Sequence, residues 1–255
     1  ALGYYEDQLA VFFASGVELW TVGPDPTKHA IARVLNGPGT DHAGSVANTL
    51  GDVFYLSQGG FRSLSTVAVS GQLEENDDLG AAIQELTKLE TGTPRALWSQ
   101  ARGQYMCAFG AAVYVLRYAP KQKVVGWSVY ELPVAIDYLV EHLGQVYARC
   151  GVDVYKFEAG YDDGCEYDLQ LAHFDFKQPG RRKLLRTVEL MQTGTTRLSF
   201  YTEPRNPTRY VQGPTIAGTT TGIEHIYIGA LGSAISTRFT GNAPWALDGL
   251  VLNAE

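Results

Sequence analysis

Four segments of the chain share one pattern, in which alternating apolar residues lead into a glycine-containing turn and a second, aromatic-rich alternating run follows. They are Gln8 to Val22, Gly51 to Ser65, Gln104 to Tyr118 and Gly144 to Glu158. Each predicts a β-hairpin, because a period of two places every second side chain on one face of a strand. By subtraction, the turn glycines lie 43, 51 and 41 residues apart: Gly16, Gly59, Gly110 and Gly151. A repeat of roughly 40 to 50 residues that contains several short strands is typical of a β-propeller blade.

The sequence between the third and fourth hairpins fits the same interpretation. A turn is expected at 119–122, and Val124 to Leu132 then reads as a strand that carries Trp127. In kelch-like blades a tryptophan at this place fills the wedge between neighbouring sheets, and an ordinary large core residue is the simpler alternative. Alternation resumes from Val134 to Val140, ahead of the fourth hairpin. We therefore expect repeated four-stranded antiparallel sheets.

One segment departs from the β pattern. From Leu79 to Leu89 the apolar residues Ala82, Ile83, Leu86 and Leu89 recur at helical spacing. Asn76, Asp77 and Asp78 precede this segment and can cap its N-terminus, where carboxylates also suit the helix dipole. Gly92 and Pro94 follow it and favour its end. We predict one helix inserted between two strands of a sheet unit.

The pattern changes near Gly160, where longer single strands replace the hairpins. The predicted strands are Cys165 to Phe176, Leu184 to Thr193, Thr195 to Thr202, Ile223 to Leu231, Ala234 to Thr240, and one more at the end of Trp245 to Leu252. Joints rich in Pro, Gly or polar residues separate them, as at 178–180 and 203–207. The fold class is all-β, with a propeller portion at 1–160 and a sandwich-like antiparallel domain at 161–255.

Charge and cysteine content limit the classes of protein. A net charge of −7 argues against a surface that grips nucleic acid by its phosphates, although DNA could still slide past such a surface. Cys107, Cys150 and Cys165 are widely spaced, so we expect three free thiols from a reducing compartment. We find neither a signal peptide nor an apolar run of the roughly 18 residues that a membrane span needs. Because the chain opens on Ala1, we expect it to be the C-terminal part of a longer polypeptide.

The acidic residues after Gly160 are the best candidates for chemistry. Asp162, Asp163, Glu166 and Asp168 are close in sequence. Paired carboxylates serve glycoside hydrolysis or bind calcium. Asp162 and Asp163 are adjacent, however, so their side chains diverge in an extended segment, and Asp-Asp-Gly is an ordinary turn sequence. We favour the turn over a site.

Other chemistry-bearing residues form no recognisable motif. The five histidines, His29, His42, His142, His173 and His225, are isolated and lack metal-ligand spacing. Neither a nucleophile elbow nor a phosphate-binding loop occurs. The basic residues Arg181, Arg182, Lys183 and Arg186 follow a turn, so we expect them to face solvent or a neighbouring subunit. The sequence thus predicts no catalytic, metal or cofactor site, and no enzyme.

The stretch from Trp98 to Glu189 resembles the tail nozzle, or tail hub, proteins that connect head to tail in short-tailed bacteriophages. The elements that carry the resemblance are Gln104-Tyr105, Phe109-Gly110, Val113-Tyr114-Val115, Val125-Gly126-Trp127-Ser128-Val129-Tyr130, Gly144-Gln145-Val146-Tyr147, Asp153-Val154-Tyr155, Tyr161-Asp162-Asp163-Gly164 and Pro179-Gly180-Arg181-Arg182-Lys183. Their order is similar to that of the family's propeller running into its C-terminal β-domain. Members of the family are commonly much longer than this chain, which fits four hairpins from a larger ring of blades.

The resemblance implies a virion structural protein, assembled in the host bacterial cytoplasm and located in the phage tail. It implies a ring of copies, usually a hexamer, that contacts the adaptor and a tail fibre or spike. DNA would pass through the ring during ejection without specific binding. A negative lining suits this role, because it repels phosphate.

Two other functions fit an all-β repeat protein of this composition. One is a glycoside-cleaving propeller that uses the carboxylates at 162–168. The other is a carbohydrate- or receptor-binding module, which requires exposed aromatic side chains beside a groove.

Overall fold

A computed structural model of the protein describes residues 1–37, 39–70, 79–119, 124–157, 166–220, 224–242 and 245–254. The fold is all-β, with 60% strand and 8% helix in several small antiparallel sheets. The chain divides into two compact units, 1–158 and 159–255. This division falls two residues before the one expected from the sequence. No closed barrel or propeller is assigned over the described ranges.

The first unit contains four antiparallel sheets, each formed by strands that follow one another in the chain. Sheet 1 comprises β1 (Leu2–Tyr5), β2 (Gln8–Phe13), β3 (Gly16–Thr21) and β4 (Ala30–Asn36). Sheet 2 comprises β5 (Ala47–Asn48), β6 (Val53–Ser57) and β7 (Gly60–Ser63). Sheet 3 comprises β8 (Arg95–Ser99), β9 (Gln104–Ala119) and β10 (Val124–Ile136). Sheet 4 comprises β11 (Tyr138–His142), β12 (Gln145–Cys150) and β13 (Asp153–Lys156). Only sheet 1 has the four strands expected from the sequence, whereas the other three have three strands each within the described residues.

Three of the four predicted hairpins are confirmed: β2–β3, β6–β7 and β12–β13. The third is wrong, because 104–119 forms the single strand β9. Gly110, at φ +66°, marks an irregularity rather than a turn. The residues before it pair with β8, and those after it pair with β10. The strand predicted at 124–132 is confirmed as part of β10, which continues to Ile136. The single strand predicted at 134–140 is wrong, because the chain is divided at Asp137 between β10 and β11.

Neighbouring sheets of the first unit share hydrophobic cores. Sheets 1 and 2 pack together with the helix α1 (Leu64–Ser70), sheet 2 packs on sheet 3, and sheet 3 packs on sheet 4. Sheets 2 and 3 are therefore covered on both faces. In β6, Val53 and Tyr55 belong to the core with sheet 1, and Phe54 and Leu56 belong to the core with sheet 3.

Trp127 lies between two sheets, as the sequence predicts. Its ring stacks on Phe61 of sheet 2, with centroids 4.8 Å apart and the planes inclined by 25°. Its indole N–H donates to the carbonyl of Leu79 at 2.7 Å. The same core contains Tyr105, whose ring meets Phe61 edge to face at 5.7 Å. Aromatic packing thus joins sheets 2 and 3.

The predicted helical segment is present but short, and it connects sheet 2 to sheet 3 rather than two strands of one sheet, as predicted. A 3-10 turn at Ala81–Ile83 leads into α2 (Gln84–Thr87), and the chain leaves the helix before Leu89. The predicted apolar face is wrong for this reason: Ile83 is buried, whereas Leu86 and Leu89 are exposed. The caps proposed at Asn76, Asp77 and Asp78 lie outside the described residues.

Helix α1 is not foreseen by the sequence pattern, which continues as alternating residues past β7. Its first turn is held by Asp52, which lies in the connection between β5 and β6. The Asp52 carboxylate accepts from the Ser65 backbone N–H at 2.9 Å and from the Ser65 hydroxyl at 2.7 Å. It also accepts from the Ser63 hydroxyl at 2.5 Å. A non-local cap of this kind leaves no local sequence signal.

The second unit consists of two antiparallel sheets around one hydrophobic core. Sheet 5 contains β14 (Tyr167–Gln170), β19 (Ser236–Gly241), β16 (Thr196–Tyr201) and β17 (Tyr210–Ile216), in that order. Sheet 6 contains β18 (Glu224–Gly232), β15 (Lys183–Gly194) and β20 (Trp245–Ala254). Leu190 and Ile228 of sheet 6 share this core with Phe200 and Phe239 of sheet 5. Two packed sheets with a common core are the arrangement expected of a small sandwich.

Two strand predictions in this unit need correction. The strand expected at 165–176 is limited, within the described residues, to β14 and one isolated bridge between Phe174 and Ile235. Strand β17 is missed because Gly213 and Pro214 argue against a strand interior. It lies at the edge of sheet 5, where proline is tolerated.

Replacement of Gly110 tests the irregularity in β9. A β-carbon there would meet only the Ala135 β-carbon, at 3.9 Å, so the expected strain comes from the backbone. Gly110→Ala should lower the free energy of unfolding by about 1–2 kcal/mol, because L side chains disfavour positive φ. Urea denaturation measures this loss.

Gly126→Ala in β10 is the matched control. Its β-carbon would meet no atom within 4 Å, and no positive φ is found at this position. The change should alter stability by less than about 0.5 kcal/mol. Equal losses in the two variants would contradict the assignment of strain to Gly110.

Candidate interaction surfaces

The predicted carboxylate group is only partly described. Asp162 and Asp163 lie outside the described residues, and Glu166 is exposed. Asp168 pairs with Arg238, whose Nε donates to it at 2.6 Å and whose Nη2 donates to its other oxygen. These hydrogen bonds lower the pKa of Asp168, and burial opposes them. The geometry therefore gives Asp168 a structural partner on sheet 5.

Arg238 connects this ion pair to an aromatic pair. Its Nη1 donates to the Tyr201 hydroxyl at 2.7 Å, and its guanidinium carbon lies 5.9 Å from the centroid of the Tyr201 ring. The Tyr201 and Tyr210 rings lie 5.4 Å apart. Tyr201 is buried and Tyr210 is 52% exposed. The cluster of Asp168, Arg238, Tyr201 and Tyr210 thus presents one exposed aromatic ring, that of Tyr210.

The basic cluster divides between solvent and interior. Arg181, Arg182 and Arg186 are exposed, as expected. Lys183 is only 3% exposed, so the expectation that it faces solvent is wrong. Its ammonium group donates to the carbonyls of Gln178 and Ser233, at 2.5 and 2.8 Å. Because these bonds satisfy the buried charge, Lys183 closes the turn before β15.

The surroundings of the described cysteine thiols do not activate them. Cys107 and Cys150 are free thiols, as predicted, and Cys165 lies outside the described residues. Burial raises the pKa of the Cys107 thiol to about 12 and raises that of Cys150 as well. Neither thiol is therefore activated as a nucleophile.

Over the described ranges, no cluster of three or more His, Cys, Asp or Glu residues is arranged to hold a metal ion. No helix among them is long and apolar enough to cross a membrane.

The outer face of sheet 1, the face that points away from sheet 2, carries exposed apolar side chains. Its side chains form two rows across all four strands of the sheet. One row is Leu2, Val11, Glu18 and Val34, and the other is Tyr4, Leu9, Trp20 and Ile31. Seven of these eight residues are apolar or aromatic. Leu2 is 65% exposed and Tyr4 is 57% exposed.

Carboxylates provide the charge beside this face. Glu18 accepts from the Trp20 indole N–H at 2.9 Å. Asp7, in the β1–β2 turn, accepts from the Tyr4 hydroxyl at 2.6 Å. That hydrogen bond raises the pKa of Tyr4, so the phenol stays neutral at ordinary pH. The outer face of sheet 1 is therefore apolar with an acidic character.

The outer face of sheet 4, which points away from sheet 3, has a different character. Its rows are Tyr138, Arg149 and Val154, and Val140, Tyr147 and Lys156. Tyr138 is 57% exposed and Val154 is 67% exposed. Arg149 and Lys156 are exposed as well. This face is apolar with a basic character.

Contiguous exposed apolar surface of this kind marks an interaction site more often than a catalytic one. The sequence signal for these faces is weak, although β2 carries apolar residues on both of its sides, as in Leu9, Ala10, Val11 and Phe12. Such a pattern is typical of a strand that is covered on both faces.

No family model and no curated protein matches the sequence.

Substitution of Asp168 tests its role as an ion-pair partner. Asp168→Asn should lower the free energy of unfolding by about 0.5–1 kcal/mol at neutral pH, the range of partly exposed pairs. Because Arg238 lowers the pKa of Asp168 in the folded state, the stabilisation is complete above the unfolded value of about 4. It is lost as the pH falls through the folded pKa.

Urea titrations from neutral to acidic pH measure this dependence, with Asp248→Asn on β20 as the control. The difference between the wild type and Asp168→Asn should shrink below about pH 4. A difference that grows on acidification would contradict the pairing.

Proposed function

We propose that this chain is a structural component of the short tail of a bacteriophage, in the nozzle or hub that forms part of the DNA ejection conduit. Its sheets would be blades of a β-propeller, completed by surfaces outside the chain. Copies would form a ring, with six as the expected number, and would contact an adaptor and a tail fibre or spike. The protein would be assembled in the host cytoplasm and reside in the virion tail.

The observation that carries this proposal is the stack of sheets in the first unit. Four consecutive meanders pack face to face, and the two outermost faces remain open. A repeat fold buries its apolar faces by stacking, so open terminal faces need capping or further partners. A subunit of a larger assembly supplies such partners. The resemblance from Trp98 to Glu189 supports the same class of assembly.

The charge of the chain is compatible with a conduit. Its 27 acidic and 20 basic residues give a net charge of −7. A surface of this sign repels the phosphate backbone, which lets DNA move without being held.

A carbohydrate-binding function is the alternative, and Tyr210 is the residue that favours it. Its exposed ring lies 5.4 Å from the ring of Tyr201, whose hydroxyl accepts from Arg238, and sugars commonly stack on exposed aromatic rings. Its neighbour Tyr201 is buried, however, so the described part of sheet 5 presents one aromatic ring where a sugar platform needs several.

Immunogold labelling of phage particles that encode this chain tests the proposed location. We expect label at the tail, and light scattering of the purified 27.8 kDa chain should give a ring-sized multiple of that mass. Absence of the protein from particles would contradict the proposal.

A DNA-retention assay tests the conduit, and a glycan array tests the alternative. At low salt, duplex DNA should migrate unretarded in the presence of the protein, because net repulsion opposes binding. Tight retention of DNA would contradict a passive conduit. Glycan binding that is lost in Tyr210→Ala would favour the carbohydrate-binding alternative.

A further inference from the structure

We infer that the outer face of sheet 1 in one copy of the chain is covered by the outer face of sheet 4 in a second copy. Copies then associate head to tail, and sheets stack across the interface as they do within the chain. The inference rests on the self-association in the proposed function, but not on the phage tail as its setting. To the proposed function it adds which two surfaces of the chain are in contact in the assembly.

Sheet 1 has the composition of a sheet that is covered on both faces. Sheets 2 and 3 show what this chain places on a strand that is covered on both sides: apolar residues at successive positions, as in Val53 to Leu56. Strand β2 has the same composition from Leu9 to Phe13. Its inner residues Ala10 and Phe12 are buried, whereas Phe13 is 48% exposed. The strand thus has the composition of a covered strand and lacks a partner on one side.

The outer faces of sheets 1 and 4 carry opposite charges in their rows. The two rows of sheet 1 contain the acidic residue Glu18 and no Lys or Arg. The outer face of sheet 4 carries Arg149 and Lys156, and no Asp or Glu occurs in its two rows. Opposite charges amid matching apolar rows favour contact between these faces. Contact of either face with its own copy would bring like charges together.

The outer face of sheet 1 can meet the outer face of sheet 4 only between two molecules. Both faces are exposed in the chain, so they do not cover each other within one copy. The two faces differ from each other, so a second copy meets the first through unlike surfaces. Such a heterologous interface generates a ring if the rotation closes. A second copy is therefore the occupant that the observations favour.

Charge reversal on one face at a time tests the inference. Glu18→Lys replaces the acidic residue in the rows of sheet 1 by a basic one, so that the rows of both faces are basic, and Arg149→Glu with Lys156→Glu makes the rows of both faces acidic. Each variant alone should dissociate at a concentration at least about tenfold higher than the wild type, measured by sedimentation velocity. An equimolar mixture of the two variants should recover assembly, because each face then meets a partner of opposite charge.

Glu85→Lys is the matched control. It makes the same charge change at a side chain that is 86% exposed, on α2 and outside both faces. It should assemble like the wild type, and circular dichroism should show that all variants are folded.

The possible results separate the two proposals. Recovery in the mixture supports the inference. A wild-type monomer at all concentrations, or an oligomer that both reversals leave intact, overturns it. An oligomer that is unaffected by the reversals, in a protein that still labels phage tails, leaves the proposed function standing with a different interface.

Discussion

Phe54 and Tyr55 are neighbours in strand β6, yet their rings contribute to two different hydrophobic cores. The Tyr55 ring lies 4.9 Å from Phe12 of sheet 1, and the Phe54 ring lies 5.8 Å from Tyr105 of sheet 3. One strand therefore holds three sheets together. Burial of a large aromatic side chain contributes about 1.5–3 kcal/mol, so loss of either ring would weaken the packing of β6 against one of its two neighbouring sheets.

Strand β9 repeats this arrangement one sheet further on, and a single glycine makes it possible. Before Gly110, Tyr105 and Cys107 face sheet 2, and Met106 faces sheet 4. After Gly110 the alternation shifts by one residue, so that Tyr114 again faces sheet 2. Without this shift the second half of β9 would present its two sets of side chains to the wrong cores.

The outermost sheets show the consequence of stacking. Within the first unit, sheets 1 and 4 each pack against one neighbouring sheet, and each carries exposed apolar side chains such as Tyr4 and Tyr138 on its other face. Monomeric proteins rarely leave large apolar patches uncovered. The two open faces therefore link the fold of the first unit to its proposed role as part of a larger assembly.

Local features were predictable from the sequence, and non-local ones were not. The hairpins around Gly16 and Gly151 depend on turns and alternation within a few residues, and both are present. The long strand β9 depends on pairing with both β8 and β10, which the pattern around Gly110 does not reveal.

The polar contacts show the same division. The contact between Asp168 and Arg238 joins residues 70 positions apart in the chain. The burial of Lys183 depends on the carbonyl of Ser233, which is 50 positions away. Composition near 162–168 could suggest a carboxylate site, but only the fold identifies the partner of Asp168.

Hydrogen exchange of the backbone amides tests the central claim most directly, because it measures which strands are covered on both faces. In the dissociated chain, amides of β6 and β9 should exchange most slowly in the first unit, and those of the exposed edge strand β4 should exchange much faster. If β9 exchanged as fast as β4, sheet 3 would not be enclosed between its neighbours, and the stacked arrangement would be contradicted.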